Sequence, residues 1–191
     1  FHVDPPSAAK KLRELMYNGY YYYDHTLHFY FLGGPDFVVG PDAPAAERNI
    51  LGVINKVGLD IAKEVIKNRA YGQKITALLG GKATHPVCGL PGGISKPLSE
   101  EDRKEIEMMA KTGVEFAKFS LKVFDDVVLK NKKYVDLIVN GPYTHKTYYM
   151  GLVDENNKVN FYDGQVRVVD PQGKEFVKFG ASEYLNIIEE H

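Results

Sequence analysis

A chain of 191 residues with a net charge of −1 can bury a substantial core and carries no general attraction to nucleic acid or to an anionic membrane. A single cysteine, Cys88, excludes an internal disulfide framework and a cysteine-built metal site within the chain. No apolar run reaches the length that spans a bilayer. The chain starts at Phe1 rather than Met, with no secretory pattern, and it ends at His191 without a terminating signal. Both ends therefore suggest processing or a piece of a longer chain.

The elements follow in order. Pro5-Pro6-Ser7 opens a first helix, in which Leu12, Met16, Gly19, Tyr23, Leu27 and Tyr30 recur at spacings of three and four. The run Tyr20 to Tyr23 covers the whole circumference, so protein is expected on more than one side. Gly33-Gly34-Pro35 is expected to end this helix near Leu32. A second helix is expected from about Asp42, with Pro44 in its first turn, to Leu79; Ile50, Ile54, Val57, Ile61 and Val65 mark its buried stripe. Gly52, Gly58 and Gly72 each weaken it by about 1 kcal/mol relative to alanine, so close packing against a neighbour is expected there. Ser99 is the expected N-cap of a third helix, with Glu100, Glu101 and Asp102 at its positive end. Ala110, Val114, Ala117, Leu121, Phe124 and Val128 then follow a near-heptad spacing down to Lys130-Asn131-Lys132-Lys133.

After Asn140-Gly141-Pro142 the character changes. Tyr148 to Val153, Val159 to Tyr162, Gln165 to Val169 and Glu175 to Phe179 read as short strands separated by turn residues, and Ser182 caps a last helical turn to Glu190. The expected class is α+β, mainly α: a bundle of three long helices over residues 1–140, with a small antiparallel β meander and terminal helix over 141–191 packed against it and not independent of it.

Between the second and third helices lies Gly80 to Ser99. Two Gly-Gly pairs and three prolines make this connection irregular but stiff. It holds His85 before Pro86, and Cys88, whose plain reading is a small buried hydrophobe. His25 and His28 stand three apart on the first helix, with Asp24 placed to orient His28; such a pair can chelate a metal or relay a proton, or simply be satisfied in a helix interface. No H-E-x-x-H, nucleophile elbow, phosphate-binding glycine loop or dinucleotide fingerprint is present.

Three stretches in order resemble the large subunit of nickel–iron hydrogenases. They are Asp24-His25-Thr26-Leu27-His28-Phe29-Tyr30-Phe31-Leu32 with Pro35-Asp36; Gly80-Gly81-Lys82 to His85-Pro86 with Pro91-Gly92-Gly93; and Phe161-Tyr162-Asp163-Gly164 leading into Arg167-Val168-Val169-Asp170. Gly92-Gly93-Ile94-Ser95-Lys96 looks most like the cytoplasmic branch that passes electrons to soluble carriers. The resemblance implies an oxidoreductase that interconverts dihydrogen with protons and electrons. Its nickel–iron centre is held by four thiolates from two C-x-x-C motifs, which suit a soft metal pair. Neither motif is present, Cys88 matches neither, and Phe31 stands where many members carry a histidine. The chain then reads as an internal fragment, inactive alone, with no metal ligand, cofactor-binding or catalytic residue of its own. By the same resemblance His85 lies near the centre and the iron–sulfur small subunit, tuning or facing it without ligating metal, while His25 and His28 belong to the buried bundle beneath. Apolar faces meant for missing segments would make the isolated chain self-associate. The alternatives are a shortened paralogue acting as a structural or assembly partner, and an unrelated helical protein binding metal through His25, His28 and His85.

Overall fold

The computed structural model describes residues 3–142 and 144–189. The chain divides into two compact units, one reaching to Asp136 and the other beginning at Leu137. The architecture is mainly α with small antiparallel sheets, the class expected from the sequence.

In the first unit, α1 runs Ser7–Leu27. It does not stop at Gly33-Gly34-Pro35. Wider π-helical turns continue through His28–Gly33 and Pro35–Val39, with Gly34 at φ −55°, and the chain breaks only at Gly40, φ 116°. A π turn relieves the clash and the lost donor that Pro35 would impose on an α-helix, so the proline is accommodated and buried. The second helix also departs from expectation. Residues 41–49 are mainly turns, and α2 (Ile50–Val57) starts at Asn49, whose Oδ1 accepts from the Leu51 and Gly52 amides at 2.9 and 3.2 Å. Gly58, φ 89°, ends α2, and α3 follows at once over Leu59–Gly80. The connection that leaves α3 carries a short hairpin, β1 (Gly89–Leu90) and β2 (Gly93–Ile94). The third helix begins as expected: Ser99 Oγ accepts from the Asp102 amide at 3.0 Å, and α4 spans Glu100–Phe124. It then widens over Asp125–Leu129 and is followed by α5, Lys132–Asn140, rather than ending at the lysines.

Two apolar clusters form this unit's core. Ile75, Leu79, Ile106 and the fully buried Met109 make one, closed by Leu12, Leu15, Met16 and Leu98. Tyr30, Val65 and Phe116 make the other. Between them along α3 lies a polar layer: Tyr22 Oη donates to Asn68 Oδ1 at 2.5 Å, and Asn68 Nδ2 donates to the Glu64 carbonyl at 2.8 Å. Asn68 is 1% exposed, so both bonds are needed to offset its burial. The buried face of α4 is Ile106, Met109, Gly113 and Phe116, not the heptad stripe; Ala110, Val114, Ala117 and Leu121 point outward, and only Phe124 and Val128 turn inward.

The second unit is a three-stranded antiparallel sheet in the order β3 (Tyr149–Val153), β4 (Gln165–Val169), β5 (Glu175–Phe179). The expected strand at 159–162 is absent; Val159 makes a single bridge to Val153 and the chain then turns. The last element is a 3₁₀ stretch, Ala181–Asn186, led by Gly180, whose amide donates to Glu183 Oε2 at 2.8 Å; Ser182 is not its cap, and Glu190 lies outside the described residues.

α1 and α3 touch backbone to backbone at Gly72. A Cβ added there would lie 2.7 Å from the Tyr23 amide nitrogen and 2.9 Å from the Gly19 carbonyl oxygen. Gly72→Ala is therefore expected to destabilise the fold by about 1–3 kcal/mol. Gly93→Ala, where nothing lies within 4 Å, should stay within about 0.5 kcal/mol of the parent. Urea unfolding midpoints of the two variants check this.

Candidate functional site

The connection from Gly80 to Ser99 is built onto the amino-terminal half of α1. Gly81, φ 82°, ends α3 with its amide on the Ala77 carbonyl at 2.8 Å. The chain then doubles back so that the Val87 amide donates to the Gly80 carbonyl at 3.1 Å. A Cβ on Gly80 would meet Pro86 Cβ at 2.4 Å and Met16 Sδ at 3.0 Å, so this return has no room for a side chain. Beyond it, β1 and β2 pair tightly over Pro91-Gly92. Gly92 has φ 75°, as the third position of a type II turn requires.

Arg13 fastens this hairpin to α1. Its Nη2 donates to the Leu90 carbonyl at 2.8 Å and also to the Gly93 carbonyl, one from each strand. Its Nε is buried with no partner among the described atoms, so the guanidinium is committed to the loop at some cost in desolvation. Beneath, Cys88 is 2% exposed and its thiol points at Met16 Sδ, 3.3 Å away. It is the small buried hydrophobe its surroundings suggested.

His85 is exposed and adopts φ 51°, left-handed backbone that a residue before proline rarely takes. A residue before proline is ordinarily extended; here the chain reverses so that Pro86 packs on Gly80. Val87 and Leu90, 73% and 50% exposed, give the loop an apolar outer surface beside the imidazole.

His25 and His28 do not lie in the buried bundle. Both are exposed. His25 Nδ1 lies 3.0 Å from the Tyr21 carbonyl, and its ring leans on Tyr21 with centroids 5.2 Å apart. His28 stands where α1 gives way to the π turn and lines an apolar cavity of about 230 Å³ with Phe29, Phe37, Phe124 and Val127. Among the described residues, no group of three or more His, Cys, Asp or Glu side chains is placed to hold a metal, so His25, His28 and His85 do not form one site. A nickel–iron centre does not fit the residues of this chain alone: the one thiol is packed against a thioether and has no second thiolate beside it.

Sequence reasoning missed Arg13 and the tyrosine system of α1. Tyr17 and Tyr21 hydroxyls lie 2.9 Å apart with their rings edge to face at 4.6 Å, and Tyr20 meets Tyr23 in the same way at 5.3 Å. The hydrogen bond to Tyr17, helped by burial, pushes the Tyr21 phenol up to about 12. Burial raises Tyr22, Tyr23 and Tyr30. Ser120 donates to the Phe116 carbonyl at 2.9 Å, so Tyr30 is the donor in their 2.7 Å contact. The tyrosine run was legible as a signal; its pairing was not.

No family model matches the chain. Curated proteins do. An F420-non-reducing hydrogenase iron-sulfur subunit from Archaeoglobus profundus is 48% identical over 190 residues, covering 100% of this chain and 39% of that protein. The F420-non-reducing hydrogenase vhu subunit of Methanocaldococcus jannaschii is 48% identical over 189 residues, 99% of this chain and 44% of that one. Among solved structures, an NAD⁺-reducing [NiFe]-hydrogenase superposes with a TM-score of 0.85 at 25% identity, over 96% of this chain and 40% of that one. The chain aligns along a stretch of these hydrogenase proteins. It spans about 40% of the length of these relatives.

The hydrogenase comparison corrects the resemblance drawn from the motifs. That reading leaned towards the branch serving soluble carriers, from Gly92 to Lys96. The relatives at 48% identity are instead named F420-non-reducing hydrogenases, whereas the NAD-reducing hydrogenase HoxS subunit beta of Cupriavidus necator is 30% identical over 191 residues. The matched hydrogenase group is thus the one bearing the F420-non-reducing name, and the carrier-linked branch is set aside.

Two outcomes follow from the site. A phenol whose folded-state pKa is raised keeps its proton while the unfolded chain loses its own, so the stability it contributes is complete below about pH 10 and is lost as pH rises. With Tyr21 pushed to about 12 and Tyr22, Tyr23 and Tyr30 raised with it, stability should fall steeply from pH 10 to 12; urea unfolding alongside tyrosinate absorbance checks this, and a flat profile would contradict it. At His85, His85→Val should cost about 1–2 kcal/mol while His85→Gly should match or exceed the parent, again read from unfolding midpoints.

Proposed function

We propose that this chain is part of the large subunit of a nickel–iron hydrogenase, and that the whole enzyme interconverts dihydrogen with protons and electrons. The 48% identity running through essentially the full chain is the observation that supports this most. The superposition on an NAD⁺-reducing [NiFe]-hydrogenase supports it independently. On this reading the thiolate ligands of the nickel–iron centre come from the remainder of the subunit, because this chain offers only the buried Cys88. The stretch is scaffold, inactive alone.

The exposed edge formed by His85, Val87 and Leu90 is the part of the scaffold we assign to the neighbourhood of the centre and of the iron–sulfur small subunit. Its stiffness suits that role. The loop is held by Arg13, by the Gly80–Pro86 contact and by Cys88 under Met16, so the imidazole is presented from a fixed backbone. His85 would then orient or tune neighbouring groups without ligating metal. His25 and His28 lie on the α1 surface, where they serve packing with other parts of the assembly. The isolated stretch, with its apolar side chains exposed, is expected to self-associate. No helix among the described residues is long and apolar enough to cross a membrane; the compartment we propose is the cytoplasm.

The full-length large subunit, produced with its small subunit, should hold nickel and take up dihydrogen. Absence of both in a folded, matured preparation would refute the reading. In that enzyme His85→Ala should lower turnover by about tenfold or more at unchanged nickel content. Loss of nickel, or no change in either, would remove His85 from this role.

A further inference from the structure

The dipeptide Asn-Gly occurs twice in the chain, at Asn18-Gly19 and at Asn140-Gly141. Glycine has no Cβ to screen its amide nitrogen, so that nitrogen can reach the γ-carbon of the asparagine before it. To do so the asparagine backbone must leave the right-handed helical region, because a helical turn holds the two atoms apart. The fold treats the two sites differently in this respect. Both asparagines are exposed, so exposure does not separate them. Asn18 stands in the middle of α1, and Gly19 is buried where α1 crosses α3, a Cβ there lying 2.8 Å from Ile75 Cγ2. Turning Asn18 out of its helix means parting α1 from α3.

Asn140 is the last residue of α5, a helix with no buried residue. Residues 136–140 are all exposed, so no core packing holds the final turn. The end is closed by Thr144, whose Oγ1 donates to the Val139 carbonyl at 2.9 Å and whose amide donates to the Gly141 carbonyl at 3.1 Å. Bonds of this kind at an exposed helix end open locally at little cost, whereas those in a packed helix open only with the surrounding structure.

We infer that Asn140 is a site of spontaneous deamidation, selected over Asn18 by the freedom of its backbone. The Gly141 nitrogen gives up its proton to solvent base and attacks Asn140 Cγ. The Cγ–Nδ2 bond breaks, the leaving nitrogen takes a proton from water, and ammonia departs. Water then opens the resulting succinimide at either carbonyl. One opening gives aspartate, and the other gives isoaspartate, with the main chain rerouted through the side chain. No electrons change hands. The product is a carboxylate at the carboxyl end of α5, where the helix dipole disfavours negative charge, so the reaction loosens the turn that carried it. This inference does not rest on the hydrogenase reading.

The test ages the full-length large subunit, in complex with its small subunit, at neutral and at mildly alkaline pH, and follows both dipeptides by peptide mass spectrometry. Aspartate and isoaspartate are expected at Asn140, forming faster at the higher pH, with Asn18 converting at least about tenfold more slowly. In urea, which releases both backbones, the two sites should convert at similar rates. An Asn140 that stays intact in the folded complex overturns the proposal, as does an Asn18 that keeps pace with it. A difference between the sites that persists undiminished in urea also overturns it, because selection would then lie in the local sequence and not in the fold. Nickel content and dihydrogen uptake of the fresh preparation report separately on the hydrogenase reading.

Discussion

The approach of α1 to α3 at Gly19 and Gly72 governs the rest of the first unit. At those points each helix presents no side chain, and a Cβ on Gly19 would sit 2.8 Å from Ile75 Cγ2. Such contact lets the two backbones come closer than larger residues allow. From it follow the two apolar clusters on either side, the Tyr22–Asn68 bond between them, and the placement of Met16 under the loop that leaves α3. The two glycines cost helix propensity, about 1 kcal/mol each relative to alanine, and this is recovered in burial along the crossing.

The loop bearing His85 is stiff because of the same crossing. Arg13 and Met16 sit one turn apart on α1, and both reach the connection, one through two carbonyls and the other through Cys88 and Gly80. Fixing α1 on α3 therefore fixes the loop. Its outer residues, in contrast, make few contacts and remain in solvent. A braced backbone that displays an imidazole and two apolar side chains is what a contact surface needs, since little ordering entropy is lost when it is covered.

Much of this was legible in the sequence, and the failures have physical causes. Ser99 before three acidic residues named the start of α4 because the cap and the dipole act locally. The strands at 165–169 and 175–179 were legible from alternating branched residues between turn signals. Gly33-Gly34-Pro35 was misread because a proline forbids an α turn but not a wider one, and neither glycine was obliged to leave the right-handed region. Asp42 and Pro44 gave start signals as good as those of Asn49, and only the tertiary fold chose between them. His85 signalled an exposed loop position, but its left-handed backbone depends on where Pro86 packs, which no local pattern encodes.

The most instructive failure is α4. Its row from Ala110 to Leu121 has heptad spacing, yet it marks the solvent side of the structure, while burial falls on a second row of the same spacing, Ile106, Met109, Gly113 and Phe116, which a glycine interrupts. Gly113 lies in the core because the Tyr22 ring presses on it, with Cζ 2.8 Å from where a Cβ would be. Apolar periodicity reports that a face is meant to be covered; it does not report by what. In a chain that spans about 40% of its relatives, the face with the cleanest pattern and the face that is buried need not coincide. Of two rows with the same spacing, the one that packs is the one whose glycine admits the Tyr22 ring.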